Sequence, residues 1–544
     1  MALETAAGRR ALSKAYGLFA AALAFLVVVI ALAAQLGLNE TVIAFLVIAF
    51  ALVTSAVIGV GARTLSLTEF YVAGRGVSAG FNGMATAAAF LSGGGLATIV
   101  GAFFAGTAAG LAVTAGWTIG FVLLAVLVAP YYRKSGALTL PDFLAVRYGT
   151  PLLRVAGVVV LLVSSFALLP AAIAAASAIV RFFLHMRPDV SLAVVVATLL
   201  LSSLAGGMRA VTFVAGAQVI LVLLAMVVPA TLFSAESFAL PLPQLTYGFA
   251  LDANAGSDAI GLLAGRGAPL GDLSGVNLLA LAATLALAVV SLPHVVARSG
   301  TATGMASARR SVAWALAIVA AVTVTAPAIA AFARSAILDN VVGVGLDELP
   351  VWFFAFGRAG LIETCGVAAA SAADIGTTCG AGTVINGLDA SQVAVSGEAL
   401  VLGFADMVDL PYVVSALIAA GILAAALSTA GAVLMAVTAA LGHDVYARMV
   451  NRRATAGRRL IVSRLALIAA VALAAAIAAT APGEAIAFAV YTPALAASGF
   501  FPPLILGLWW ERTTWLGALA GMVAGFAFAL LYILAERAGV PKGV

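Results

Sequence analysis

The stretch FNGMATAAAFLSGGGLATIVGAFFAG, residues 81–106, is long and apolar enough to cross a membrane, yet three glycines interrupt it. Gly93–Gly95 follow Ser92 near the middle of the stretch. Glycine weakens a helix because it loses more backbone freedom on folding than any other residue. The sequence therefore predicts a membrane helix that is broken close to the centre of the bilayer.

A second apolar segment ends in SLPHVVARSGTATG, residues 291–304, where Pro293 stands beside His294. Proline cannot donate a backbone hydrogen bond, so a second break is expected here, five membrane segments after the first. Breaks in the first helices of two five-helix units are typical of transporters built from inverted repeats. The alternative is that the small residues only allow close helix packing.

The composition places the whole chain in a lipid environment. Of its 544 residues, 64% are hydrophobic and only 9% are charged, whereas soluble domains carry about 25% charged residues. Each membrane-spanning segment must satisfy its own backbone hydrogen bonds, and long unbroken apolar runs do so as helices. The sequence thus predicts an all-α polytopic membrane protein, and the net charge of +5 describes membrane orientation rather than nucleic-acid binding.

Thirteen apolar segments are candidates for transmembrane helices. They fall at residues 16–37, 41–62, 78–107, 110–132, 152–184, 189–207, 210–234, 275–297, 308–335, 410–443, 459–481, 484–510 and 514–536. The predicted organisation has two helices before the core, two five-helix repeats separated by an extracytoplasmic loop, and one helix after the core. The corresponding ranges are 1–77, 78–234, 235–274, 275–510 and 511–544.

The basic residues indicate the orientation of these helices. With the N-terminus in the cytoplasm, most Lys and Arg residues fall on the cytoplasmic side, as the positive-inside rule requires. A multi-pass protein of a bacterial-type inner (plasma) membrane is therefore expected. The first segment resembles a signal peptide, but its apolar run exceeds the 7–15 residues typical of one, so we expect a retained helix.

Both cysteines, Cys365 and Cys379, lie in a long loop, residues 336–409, that the orientation places outside the cytoplasm. An oxidising compartment would permit a disulfide between them. Two cysteines in a long loop are equally compatible with unpaired thiols, so the sequence leaves this pairing open.

Two hydroxyl residues stand out in AALSTAGA, residues 425–432, within an otherwise apolar segment. No charged residue lies near the centre of any predicted helix, so a bound cation there would have to be met by carbonyl and hydroxyl oxygens. The alternative is that Ser428 and Thr429 hydrogen-bond to their own helix, as hydroxyls in membrane helices usually do. No nucleophile–base set or cofactor motif is present, and an enzyme is not expected.

Several stretches together resemble the sodium:solute symporter family. Within the family, the sequence is most similar to the acetate and monocarboxylate permease branch. The stretches are FYVAGRGVSAGFNGMATAAAFLS (70–92), YYRKSGALTLPDFLAVRYG (131–149), GGMRAVTFVAGAQVILVL (206–223), HVVARSGTATGMASARRSVAWAL (294–316), LPYVVSALIAAGILAAALSTAGAVLMAVTAALGHDVYARM (410–449) and GFFPPLILGLWWERTT (499–514). The resemblance implies a leucine-transporter-type 5+5 inverted-repeat core that works by alternating access.

The resemblance also implies two groups of site residues. The first is a sodium site formed by the carbonyls of Ala88, Leu91 and Ala425 and the hydroxyls of Ser428 and Thr429. The second is a substrate site, with Phe90, Ser92, Gly93 and Gly94 at the first break facing a central cavity. His294, at the second break, is a candidate to hydrogen-bond a carboxylate, the alternative being a junction histidine bonded to backbone. Tyr491, in the tenth core helix, is a candidate to line the cavity, the alternative being a packing or anchoring role.

The chain departs from its relatives at Ala89, Ala215 and Gly431, where an acidic residue is expected in the branch or in sodium-rich relatives. These departures argue against a second sodium ion and weaken the transfer of a substrate from the branch.

The function implied is sodium-coupled symport of a small solute, with a monocarboxylate such as acetate as the expected substrate and Na⁺ as the coupling ion. Symport of a neutral or zwitterionic solute is the alternative within transport. A sensor or partner subunit that binds solute without moving it is the alternative outside transport. Association with a small membrane subunit is a further possibility.

Overall fold

The computed structural model describes residues 17, 19–30, 32, 37, 39–253, 261–262, 273–380 and 387–538. Within these residues, nine helices are long and apolar enough to cross a membrane, and two bent helix pairs raise the number to eleven. The first and sixth predicted segments are represented by shorter apolar helices. The predicted all-helical membrane architecture is confirmed, although two of the thirteen segments are shorter than expected. The basic N-terminal head and parts of both long loops lie outside the described residues.

The membrane helices are numbered here in chain order. They are α1 Phe19–Ile30, α2 Glu40–Gly61, α3 Ala79–Phe90 with Gly93–Ala105, α4 Thr107–Ser135, α5 Pro151–Leu184, α6 Pro188–Ser203, α7 Met208–Phe238, α8 Gly275–Ser291 with Pro293–Thr301, α9 Met305–Asn340, α10 Tyr412–Val450, α11 Ala456–Thr480, α12 Thr492–Trp509 and α13 Trp515–Arg537.

Short elements connect the membrane helices. The short helices are Leu67–Val72, Leu140–Tyr148, Pro243–Ala253, Val351–Arg358, Ala372–Cys379, Gly397–Leu402, Phe404–Met407 and Pro482–Ala489, with 3₁₀ turns at Ala73–Arg75 and Ala390–Gln392. Several of them begin at a serine or threonine whose side chain accepts a backbone N–H, as Thr139 does from Asp142 at 3.0 Å. Such caps satisfy donors that have no partner inside the helix.

Both predicted breaks are present. The two parts of α3 meet at an angle of 70°, and those of α8 at 47°. In α3, Ser92 has an extended backbone (φ −72°, ψ 160°), and its hydroxyl oxygen accepts the N–H of Gly95 at 2.9 Å. In α8, Leu292 is extended and precedes Pro293, which restarts the helix. A proline is well placed at the start of a helix because its missing N–H would have had no partner there.

Helix α10 lies at the centre of the molecule. In its most apolar stretch 89% of residues are buried, against 33% for α11 and 22% for α13. Helices α7 and α10 approach closely at Gly421, where an added Cβ would lie 2.2 Å from the Cβ of Ala225 and 2.8 Å from the carbonyl oxygen of Leu221. The hydroxyl residues of α10 therefore lie inside the protein rather than against lipid.

The two long loops share a small four-stranded sheet. Its strands are β1 Gly261–Leu262, β2 Ile362–Thr364, β3 Val367–Ala368 and β4 Val393–Val395, in the order β1-β4-β2-β3. Strand β1, from the loop between α7 and α8, pairs in parallel with β4, from the loop between α9 and α10. A disulfide joins Cys365, beside this sheet, to Cys379, with the two Cα atoms 5.6 Å apart.

Replacing Cys365 with Ser is expected to loosen the segment that this disulfide closes. A cross-link that closes a loop of about 15 residues contributes roughly 3 kcal/mol in the chain-entropy model. We expect the variant to be cut faster by a protease between β2 and the end of the helix Ala372–Cys379. Limited proteolysis with and without reductant measures this, and the reductant should accelerate cutting in the wild type only. Equal cutting of the oxidised wild type and the variant would contradict the prediction.

Candidate functional site

The hydroxyls of Ser428 and Thr429 connect α10 to the broken helix α3. Ser428 is buried and donates to the carbonyl oxygens of Ala88, at 2.6 Å, and Ala425, at 2.9 Å. Thr429 is also buried and donates to the carbonyl oxygen of Ala89, at 3.2 Å. The structure thus brings together four of the five predicted cation ligands and adds the Ala89 carbonyl, which the sequence analysis did not include.

The break in α3 explains why these carbonyls are available. In a continuous helix the N–H of Ser92 would donate to Ala88, but here it donates to Phe90 at 2.8 Å. The N–H of Gly95, which would donate to Leu91, donates instead to the Ser92 side chain. The last carbonyls of any helix lack donors within it. The carbonyls of Ala88, Ala89 and Leu91 could therefore have been identified by counting back from the predicted break.

This arrangement offers neutral oxygens to a ligand between α3 and α10. In the described residues, the groups bonded to Ser428 and Thr429 are all carbonyls. Carbonyl and hydroxyl oxygens can replace the hydration shell of a monovalent cation. Leu91, the fifth predicted ligand, is buried at the break. The site is thus chemically suited to a weakly held monovalent ion.

The predicted substrate residues of α3 have different surroundings. The Phe90 ring makes edge-to-face contacts with Trp117 and Phe121, both at a centroid distance of 5.0 Å. Gly93 is buried, and a Cβ there would lie 3.3 Å from the Ile422 side chain of α10. Gly94 is exposed and has no atom within 4 Å of such a Cβ. Gly94 is therefore the glycine with open space beside the break, while Ser92 caps the helix that follows.

The two remaining substrate candidates lie in different places. His294 is 2% exposed at the break in α8, and its Nδ1 atom has no hydrogen-bond partner in the described residues. The Tyr491 hydroxyl lies 3.4 Å from Glu536 of α13, and its ring contacts Phe488. These contacts favour a packing role for Tyr491 against the last helix.

The three positions without an acidic residue are all buried. Ala89 and Ala215 are 0% exposed. At Gly431, a Cβ would lie 3.3 Å from the Val211 side chain. A side chain at Gly431 would therefore require the Val211 side chain to shift by a few tenths of an ångström.

A buried charge cluster joins the ends of three helical segments. Arg154, at the start of α5, donates to Asp142 at 2.8 Å and to Asp444 at 2.5 Å. His443 lies 3.4 Å from Asp142, and Thr139 donates to Asp444 at 2.6 Å. Burial alone would raise the pKa of Asp142, but the hydrogen bonds and charges of His443 and Arg154 outweigh it and hold this pKa well below its usual range.

The same cluster contains a possible set of metal ligands. Ligand atoms of Asp142, His443 and Asp444 all lie within 4.8 Å of one another. The guanidinium of Arg154, however, already bridges the two carboxylates, so a metal ion would have to displace it. The geometry is that of an ion-pair network. This cluster could not be predicted from the sequence, because Asp444 is 290 residues from Arg154 along the chain.

Comparison with known proteins places the chain in a family. The model of the sodium:solute symporter family matches residues 70–346 and 387–525. An uncharacterized symporter of Cupriavidus necator is 31% identical, over 97% of this chain and 90% of that protein. A monocarboxylic acid transporter of Corynebacterium glutamicum is 25% identical, over 89% of this chain and 81% of its own.

A solved structure has the same fold. A substrate-bound, outward-open Na⁺-coupled sialic acid symporter superimposes with a TM-score of 0.62 at 14% identity, covering 90% of this chain and 98% of that one. The family match begins in the short helix Leu67–Val72, ends within α13, and includes both broken helices and α10. The chain is therefore a membrane transporter, not an enzyme, and belongs to the sodium:solute symporter family.

Proposed function

We propose that this protein couples the entry of Na⁺ to the uptake of a small monocarboxylate such as acetate. The observation that carries the sodium proposal is the junction of α3 and α10, where Ser428 meets the carbonyls of Ala88 and Ala425 at 2.6 and 2.9 Å. Five neutral oxygens, from Ala88, Leu91, Ala425, Ser428 and Thr429, would hold the ion, and the Ala89 carbonyl lies beside them. Members of the family are typically Na⁺-coupled.

Sodium would act by holding α3 and α10 together. A ligand shifts a conformational equilibrium only by its difference in affinity between the two states. An ion bound by oxygens of both helices favours the state in which they touch, and its loss lets them separate. In this mechanism the two five-helix repeats, residues 78–234 and 275–510, move relative to each other and expose the solute alternately to each side.

The carboxylate proposal is supported by the electrostatics around the break in α3. The helix Gly93–Ala105 begins at the break, and a helix N-terminus carries partial positive charge that favours an anion. Gly94 leaves open space there. Alanine or glycine at positions 89, 215 and 431 removes carboxylates that would repel an anionic solute. The monocarboxylic acid transporter of Corynebacterium glutamicum points to the same class of solute.

The orientation proposed from the charges places the N-terminus in the cytoplasm and the protein in the plasma membrane. The end of α4, with Arg133 and Lys134, is then cytoplasmic, and the loop that carries the disulfide is outside. Modification of a single cysteine introduced at Lys134 or Val351 by an impermeant thiol reagent tests this, in a background without the native cysteines. Labelling of intact cells at position 134 would reverse the assignment.

Uptake of radiolabelled acetate into proteoliposomes tests the function. Accumulation above the external concentration with an inward Na⁺ gradient, and none with choline in place of Na⁺, is the expected result. Excess unlabelled acetate or pyruvate should inhibit uptake, whereas proline and sugars should not. If acetate is not accumulated but a neutral or zwitterionic solute is, in a Na⁺-dependent manner, the carboxylate proposal is wrong and the sodium proposal stands. Absence of any Na⁺-dependent uptake or stabilisation in a folded sample would point to a sensor or partner subunit.

A further inference from the structure

Arg298, in the second part of α8, is a buried cation with an incomplete set of partners. Its side chain is fully buried, and its Nη1 atom donates to the hydroxyl of Thr212 on α7 at 2.8 Å. The Nε and Nη2 atoms are also buried but have no hydrogen-bond partner in the described part of the chain. No carboxylate within the described ranges lies within 4 Å of this guanidinium.

A second buried arginine of the described residues is paired with carboxylates. Arg154 lies between the carboxylates of Asp142 and Asp444 and is thereby neutralised. A charge kept inside a membrane protein is costly unless it is paired, and such residues commonly mark a solute or ion pathway. The missing partner of Arg298 is therefore expected to be an anion that does not belong to the chain.

The two unpartnered atoms of Arg298 are suited to one kind of anion. Nε–H and Nη2–H point from the same edge of the planar guanidinium, which can donate two parallel hydrogen bonds to a carboxylate. His294 precedes Arg298 by four residues, and both side chains are buried next to the break in α8. Its Nδ1 atom is likewise buried without a partner in the described residues. The pair offers donors for a carboxylate and a second polar contact beside it.

Asn82 links α3 to the segment that carries Arg298. Asn82, in the first part of α3, donates to the Arg298 carbonyl oxygen at 3.0 Å and accepts from the Thr301 hydroxyl at 2.7 Å. These bonds tie one half of the broken helix to the α8 segment that carries Arg298. The neighbours Pro293 and Ala297 line a cavity that also reaches Thr139 and Tyr71. Release of α3 from α8 would break these two bonds, which hold the Arg298 backbone and Thr301 beside a small cavity.

We propose that Arg298, assisted by His294, binds the carboxylate of the transported solute on the part of the pathway between the break in α3 and the predicted cytoplasmic side. This second binding position rests on the proposed function, because it requires the solute to be a carboxylate. The position proposed above, at the start of the helix Gly93–Ala105, offers only the partial positive charge of a helix N-terminus. Arg298 carries a full positive charge and would therefore distinguish an anion from a neutral solute of the same shape.

Charge selectivity tests this proposal. Inhibition of Na⁺-driven acetate uptake by unlabelled acetate and by acetamide, its neutral analogue, is compared in the wild type, Arg298→Gln, Arg298→Lys and Thr212→Val. We expect the KM for acetate to rise about tenfold or more in Arg298→Gln, since hydrogen bonds to a charged group are lost, and its preference for acetate over acetamide to collapse. Arg298→Lys should be intermediate, and Thr212→Val, which loses only the bond within the protein, should keep the preference.

Several outcomes separate this inference from the proposed function. If Arg298→Gln keeps the wild-type KM for acetate and the wild-type preference for acetate over acetamide, Arg298 does not bind the carboxylate. Na⁺-driven acetate uptake by the wild type would still support the proposed function. A loss in Thr212→Val equal to that in Arg298→Gln would show a structural role and overturn the inference as well. Folding of Arg298→Gln is judged by Na⁺-dependent thermal stabilisation. If this variant does not fold, the KM for acetate and the preference for acetate over acetamide are measured in Arg298→Lys instead. Wild-type protein that neither transports acetate nor is stabilised by it would overturn both proposals.

Discussion

The variant Ser428→Ala is expected to need a five- to hundredfold higher Na⁺ concentration for half-maximal uptake. Its hydroxyl is the closest contact between α10 and the break in α3, at 2.6 Å from the Ala88 carbonyl oxygen. Removing it leaves a buried polar group without its partner, which costs about 1–3 kcal/mol. That free energy corresponds to the stated range, because 1.4 kcal/mol is a factor of about ten in an equilibrium constant.

Thr429→Ala is expected to have a smaller effect in the same direction. Thr429 makes one contact with α3, at 3.2 Å, whereas Ser428 bonds two carbonyls at shorter distances. The matched control is Thr231→Ala on α7, whose hydroxyl donates only to the Val227 carbonyl of its own helix at 2.7 Å. Uptake measured across a Na⁺ series should place the control on the wild-type curve. Wild-type Na⁺ activation in both Ser428→Ala and Thr429→Ala would remove the sodium assignment.

At the junction of α3 and α10, the sequence pattern identified the residues but did not predict all of their contacts. Ser428 and Thr429 were noticed because hydroxyls are conspicuous in an apolar helix, and the family resemblance gave them a role as ion ligands. The break in α3 was predicted because glycine interrupts helices. The partner of Thr429 was missed, since which carbonyl a hydroxyl meets depends on how α10 is rotated against α3. Rotation is set by packing, such as the close approach at Gly421, and a single sequence contains no direct signal for it.

The partners of the buried arginines could not be predicted from the sequence for a related reason. Arg154 and Arg298 lie at the ends of apolar segments, where basic residues are common and indicate orientation. Whether such a residue meets lipid headgroups, a carboxylate or nothing depends on segments distant along the chain. Arg154 meets Asp444, 290 residues away, and Arg298 meets Thr212 on another helix. Hydropathy indicates that these residues lie near the ends of membrane helices, but it does not indicate which side chains they contact.

Arg154→Met is expected to destabilise the folded protein by about 3–5 kcal/mol, the usual cost of removing one partner of a buried ion pair. The substitution keeps the apolar stem but leaves two carboxylates, on side chains that are 6% and 0% exposed, without their shared cation. The loss should release the helix Leu140–Tyr148 and the end of α10 from α5, since the cluster joins these three segments. Asp444→Asn should cost less, because Asp142 still pairs with Arg154.

Unfolding of purified protein by SDS in mixed micelles, followed by tryptophan fluorescence, measures this loss of free energy. The matched control is Arg187→Met, which breaks an exposed pair with Asp189 whose side chains are 81% and 63% accessible. Exposed pairs contribute less than about 1 kcal/mol, so the control should stay close to the wild type. Arg154→Lys should recover part of the loss, as should combining Arg154→Met with Asp142→Asn and Asp444→Asn, which removes the unpaired charges. A loss in Arg154→Met no greater than in Arg187→Met would contradict the prediction, because breaking the buried pair would then cost no more than breaking the exposed one.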